Sequence, residues 1–477
     1  MRTICILIFL ALLVISNVYA IDDLNISGLN EAIYVHKLVK DSLKNYFSDE
    51  FNFRLDYKNF SFGMKFLAYL PKYDRFSSLS ELTANKISYE WDERFLAYKT
   101  DEMSIRAGTF EETFGSGIVL RAYYDKDFDI DTRLEGLDLR LSKKSISFKA
   151  LYGTLPNEDQ PTKNDLASGI DCEVKLSNDL KLGTSFASIR TFQNNKYDEQ
   201  DVLGLRTNLN FKSMDLTAEF ANTKKYKGIS KKGKAIYANL NTYINKFTIT
   251  SAYKFYENFD YRINDLPSVN HSLEPLSERL NPGYDEEGLM GEIRFIPNFS
   301  NELVVNYSEG WNNNFKIRQN DLYLKIYHDF DSFSLTAEYE HLEEIDKEWE
   351  IWEKELTPSL SIDYLINQMP VLIKLEYQYI DKQHKQNTDS HYEPLLQLDF
   401  DYKGLSFSII AEYSYKNFDN LLSQPLWLGL ETYFQLFNHT DLRVFVGREK
   451  GGKVCRNGVC KYQSMFKGIR FELTTSF

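Results

Sequence analysis

The chain has 477 residues, 43% hydrophobic and 26% charged, with a formal net charge of −13 at pH 7. That acidic balance argues against nucleic acid as a partner, and after residue 20 no stretch approaches the roughly 18 uninterrupted apolar residues that a membrane helix needs. A mean hydropathy of −0.42 leaves room for a soluble β-sandwich or for a closed barrel that crosses a membrane on alternate apolar residues; the 32 Tyr and 34 Phe suit the aromatic girdles of the barrel.

Residues 1–20 read as a signal peptide. Arg2 supplies a short positive start, Ile4 to Val14 an uncharged apolar core, and Val18-Tyr19-Ala20 a small-residue cleavage pattern. Arg2 is the only charged side chain removed with the leader, so the mature charge becomes −14. Cys5 also leaves, which puts Cys172, Cys455 and Cys460 in an oxidising compartment.

Residues 21–477 are expected to form one unit, an all-β antiparallel up-and-down barrel of about 20–24 strands, 24 being the best count. Its least secure part precedes residue 133, where 82–99 reads as one long strand or as two. The most distinctive internal piece runs from Gly108 through Gly115-Ser116-Gly117-Ile118-Val119-Leu120 to Gly136. Gly115 and Gly117 permit a tight path, and Ile118, Val119 and Leu120 would be costly to leave in water. Residues 110–133 therefore read as a constriction loop or plug, in which Arg121, Asp125, Lys126, Asp127, Asp129 and Arg133 would filter solutes by size and field. The plainer alternative is an outer loop or extra strand packed on the rim. Gly115-Ser116-Gly117 is no nucleotide fingerprint, because no βαβ context surrounds it.

Beyond this piece, alternating segments are joined by connections that are short, then long. Short turns fall at Lys143-Lys144, Lys212-Ser213, Asn245-Lys246, Pro297-Asn298, Asn367-Gln368 and Lys403-Gly404; long loops are expected at about 154–168, 191–201, 222–233, 257–287, 344–354, 381–391 and 450–461. Alternation divides the strands into a lipid face and a lumen face. Glu219, Glu292, Lys325, Glu338, Glu340, Asp399, Asp401, Glu412, Arg470 and Glu472 are the lumen candidates. Residues 341–355 read as an acidic loop with Trp349 and Trp352, more simply solvated than a calcium or sugar site.

Near the end, Asn457-Gly458 is a strong two-residue hairpin signal that sets Cys455 opposite Cys460, a structural disulfide by expectation. The last strand puts Ile469, Phe471, Leu473, Thr475 and Phe477 on one face and Arg470 and Glu472 on the other. Its terminal aromatic, with Phe471 and Leu473, resembles the assembly signal of Gram-negative outer-membrane β-barrels. The stretch Gly115 to Tyr123, together with Gly451-Gly452-Lys453-Val454-Cys455 and Gly458-Val459-Cys460, is similar to an uncharacterised family of porin-like outer-membrane proteins.

That resemblance implies a barrel in the outer membrane with unassigned cargo and no catalytic residues to carry over; the alternation of short turns and long loops is read with the C-terminus periplasmic and the long set outside. The expected function is passive or substrate-selective diffusion of small solutes, with lipid and the barrel assembly machinery as partners and no cofactor. The alternatives are a filled barrel serving as a surface binding or assembly protein and, less favoured, a lipid esterase. The seven histidines show no zinc spacing, and no nucleophile elbow accompanies any serine.

Overall fold

In the computed structural model, described residues are 23–477 apart from 39–44, 71–87, 127–129, 158–159, 161, 194, 225–231, 272–282, 284, 313–314, 368, 386, 416–424, 457–458 and 464; of 452–456 and 459–463 only the backbone is described. The strands from Leu24–Lys37 to Phe466–Ser476 form one 24-stranded antiparallel sheet, each paired with its neighbours in chain order. The last strand closes on the first from Leu29↔Ser476 to Lys37↔Gly468. Every strand of this ring has a partner strand on both sides, which is how a barrel satisfies its backbone.

The two faces are reversed relative to a soluble protein. On the outside Leu137 is 56% exposed, Ile170 50% and Leu205 55%, while the adjoining Asp138, Asp171 and Arg206 are 2%, 3% and 9%. Charge turned inward is tolerated because it is paired: Arg206 contacts Asp171 at 2.5 Å and Glu173 at 3.3 Å, in space left by Gly183 across the ladder.

Most strands turn tightly at one end of the barrel. Lys58, Lys144, Asn245 and Lys403 take left-handed backbone (φ near 51°), the geometry that two-residue hairpin turns require. The turn expected at Pro297-Asn298 falls at Phe299-Ser300 instead. At the other end the expected loops 191–201 and 381–391 are largely strand: Leu180–Gln193 meets Lys196–Phe211, and Met369–His384 meets Asn387–Tyr402. Loop 344–354 shrinks to Lys347–Glu350 between Phe333–Asp346 and Ile351–Ile366. A strand of 16 residues spans about 50 Å, twice an apolar band of about 25 Å. The polar ladder continues past that band through cross-strand pairs such as Arg190–Glu199 at 2.8 Å and Trp352 Nε1 to Glu343 at 2.8 Å.

The uncertain stretch 82–99 contains one strand, Ser88–Lys99. Its register against Phe60–Leu70 slips between Lys65 and Phe66, leaving Asp92 as the extra residue. Such a bulge re-aims a side chain, and the Asp92 carboxylate is placed to meet Lys65 at 3.2 Å and Arg133 at 2.8 Å.

At the chain end, Phe477 exchanges backbone hydrogen bonds with Gly28, 2.9 and 3.1 Å. Its ring lies where a Cβ on Gly28 would be and stacks on Phe51 at 6.0 Å. Gly452–Arg456 and Val459–Gln463 pair as a separate hairpin with Cys455 opposite Cys460; their side chains lie outside the described residues.

Candidate functional site: a two-part plug inside the barrel

Two segments leave the long-connection end and fold back inside. The first joins Met103–Phe110 to Leu134–Lys143 and contains two small hairpins, Glu112–Phe114 with Leu120–Ala122 and Tyr124–Asp125 with Ile130–Asp131. Gly115 (φ 59°) and Gly117 (φ 97°) turn its tip. The second, residues 258–271, follows strand Phe247–Glu257.

The two segments hold each other. The Tyr261 hydroxyl reaches the carbonyls of Ile118 and Val119 at 2.8 and 2.6 Å. The Arg121 amide donates to the Ile263 carbonyl at 2.7 Å and the Asp265 amide to the Gly117 carbonyl at 3.2 Å; the Arg121 and Asp265 side chains form an ion pair. Capping the tip, Glu219 accepts from the Ser116 amide at 2.9 Å and hydroxyl at 2.7 Å.

A row of small residues on the inner wall receives them. Register sets Gly153 opposite Ala167, Gly169 opposite Ala187, Ala187 opposite Val202, Gly204 opposite Ala221, and Ala221 opposite Ala235. Phe114 occupies the space over Gly169 and Val119 that over Gly204, where an added Cβ would come within 2.7 and 2.4 Å. Phe114, Ile118, Val119, Leu120, Phe259 and Ile263 are all 0% exposed and share one apolar cluster with the wall. A dry core of this kind gives a segment a fixed seat, since each fully buried large aliphatic or Phe side chain is worth about 1.5–3 kcal/mol.

Ion pairs fix the margins. Lys149 meets Glu112 at 2.8 Å and Arg262 meets Asp165 at 2.5 Å. Across the barrel Lys126 reaches Glu31 at 2.8 Å and Glu50 at 3.1 Å; burial alone would lower its pKa, but these carboxylates outweigh that and raise it. Burial and Asp265 push the Tyr123 phenol up to about 12, and burial holds Tyr261 well above its ordinary value.

Of the six constriction candidates, Arg121 and Lys126 tie the plug to its partners. Arg133 is 9% exposed and spends its charge on Asp92 and Asp131 at 2.8 and 2.6 Å, beside the wall. Asp125 pairs in register with Ile130. Asp127 and Asp129 lie outside the described residues.

The lumen candidates all fall on the inner face by register, but in two groups. Glu219 and Glu292 engage the plug, Glu292 through His271 at 2.7 Å. Lys325 pairs with Glu302 at 2.8 Å, next to that zone. On the wall from Phe333 to Ser476, Glu338 accepts from Tyr323 at 2.6 Å, Asp399 from Ser408 at 2.6 Å, Glu412 meets Lys450 at 3.0 Å, and Arg470 meets Glu472 at 2.8 Å. Glu340 and Asp401 share that inner face by alternation with Glu338 and Asp399. Phe471, Leu473 and Phe477 take the outer face.

Tyr261 and His271 stand out in the sequence within loop 257–287, as a cover over the mouth or a variable surface loop, whereas nothing local marks Glu112 and Asp265 as plug contacts. The signal that could have found the seat is the recurrence of Gly and Ala at inward positions of consecutive strands. Among the described residues no group of three or more His, Cys, Asp or Glu is arranged to hold a metal ion.

A model of the family of unknown function DUF6029 matches residues 32–303; that range includes both plug segments and excludes 451–460. No curated protein matches the chain. Among solved structures it is similar to a chain of the E. coli P pilus tip assembly intermediate PapC-PapD-PapK-PapG, at 10% identity and TM-score 0.57 over 96% of this chain and 62% of that one. It is also similar to the P pilus usher PapC translocation pore, at 10% and 0.48 over 95% and 98%, and to OprD of Pseudomonas aeruginosa, at 12% and 0.40 over 69% and 91%. At such identity the likeness is one of fold, a large closed barrel.

Proposed function

This chain belongs to the family of unknown function DUF6029, and we propose that it is an outer-membrane channel for small solutes, C-terminus periplasmic and long connections at the cell surface. The observation that carries the reading is the asymmetry of the interior. The contacts that seat the plug fall on strands between Leu24 and Asp329. From Phe333 to Ser476 inward basic groups pair with carboxylates of the same wall, as in Lys382 with Glu353, Lys374 with Glu376 at 2.8 Å, and Arg443 with Glu472 at 3.4 Å.

Solutes would pass beside the plug, along that charged wall, by diffusion and without covalent chemistry. Acidic groups outnumber basic ones on that wall, so its field raises the local concentration of cations.

Swelling of proteoliposomes in small solutes tests this. The expected result is faster swelling in small zwitterions and sugars than in larger oligosaccharides; no swelling with barrels that migrate as folded protein would overturn it. The apolar core inside the lumen favours a second reading, a filled barrel that presents its surface loops to a partner, and that reading predicts the silent result.

A further inference from the structure

Under the second plug segment lies a buried patch of oxygen atoms. Strand Asn301–Trp311 carries Asn306 and Ser308 on its inner face, and strand Ile317–Asp329 carries Asp321 directly opposite Ser308. Asn306 and Ser308 are 0% exposed and Asp321 1%, yet among the described residues Asn306 Oδ1, Ser308 Oγ and Asp321 Oδ1 have no hydrogen-bond partner. The orientation of Asn306 is set by its amide nitrogen, which donates to Glu292 at 3.1 Å, so its oxygen is turned away from that carboxylate.

The patch has a roof. His271 stacks on Tyr323 at 3.9 Å and meets Glu292 at 2.7 Å, and Val269 packs on Ala252 and Met290. Glu340 stands opposite Tyr323, two places along from the position facing Asp321.

Each unsatisfied buried neutral polar atom costs about 1–3 kcal/mol and a buried carboxylate more, so three on one face call for a common partner. The Asn306 and Asp321 oxygens only accept, while the Ser308 hydroxyl can also donate; a bridging water would fill these bonds but bring no charge to offset Asp321. A hard cation satisfies several oxygens at once and neutralises the carboxylate. We propose that Asp321, Ser308 and Asn306 form a calcium site on the inner wall, with Glu340 as the second carboxylate, and that the bound ion ties strands Asn301–Trp311, Ile317–Asp329 and Phe333–Asp346 together beneath residues 268–271. Calcium is favoured over magnesium because the donors are carboxylate, amide and hydroxyl oxygens on a sheet, a set that suits six to eight flexible ligands better than a strict octahedron.

Full-length protein, stripped with chelator in detergent, is titrated with Tb³⁺ while exciting tyrosine, Tyr323 being the sensitiser beside Asp321, and Ca²⁺ is then used to displace the Tb³⁺. The expected result is one saturable luminescent site, displaced by Ca²⁺ at tenfold or more lower concentration than by Mg²⁺. Asp321→Asn and, separately, Ser308→Ala should each weaken it tenfold or more, in protein that keeps the folded band on unheated gels. No sensitised site, a site indifferent to both substitutions, or equal displacement by Mg²⁺ would overturn the proposal.

Discussion

Replacing Ile118, Val119 and Leu120 together by alanine isolates the seat of the plug. All three side chains are 0% exposed in the cluster with Ala187, Val202, Ala221 and Ala235. Truncation removes about eight buried carbons, and at about 0.8 kcal/mol each docking weakens by about 6 kcal/mol, about four powers of ten in the docked-to-released ratio. The barrel wall retains its ladder, so the loss falls on the plug. Single-channel recording in planar bilayers should show larger or noisier conductance than the parent, and a cysteine placed at Ala122, 0% exposed in the docked segment, should become reactive to a membrane-impermeant thiol reagent. Unchanged conductance and an unreactive cysteine, in protein that folds, would refute the idea that burial of these residues holds the segment inside.

The Tyr123 phenol sits near its ordinary 10 when the plug is released and at about 12 when docked. Its contribution to docking is therefore fully present below about pH 10 and is lost as pH rises through about 12; conductance should rise across that window, less so in Tyr123→Phe. Gly28→Val fills the space of the Phe477 ring, so it should lower the yield of folded barrel in the envelope about as much as deleting Phe477, measured by the heat-modifiable band. Cys455 faces Cys460 in register; peptide masses before and after reductant should differ by the two hydrogens of a disulfide, and free thiols at both in envelope-derived protein would contradict it.

Period-two alternation carried most of the fold. It divides Arg470 and Glu472 from Phe471 and Phe477, and turn chemistry marks Lys403-Gly404 and Asn245-Lys246, because both signals are local. The polar stretches 191–201 and 381–391 resemble loops in composition, and only their cross-strand partners make them ladder. The interior was half legible. Ile118, Val119 and Leu120 demand burial on their own, but the site that buries them is assembled from Gly169, Gly204, Ala221 and Tyr261, scattered over almost a hundred residues of chain and joined only by barrel register. Asp92 shows the same limit: a one-residue bulge decides which way its carboxylate points.

The channel reading stands most directly on the conductance of the unmodified protein in a planar bilayer. Stepwise openings, with a reversal potential in a salt gradient that favours cations, are the predicted result; a silent membrane containing barrels verified as folded would contradict it.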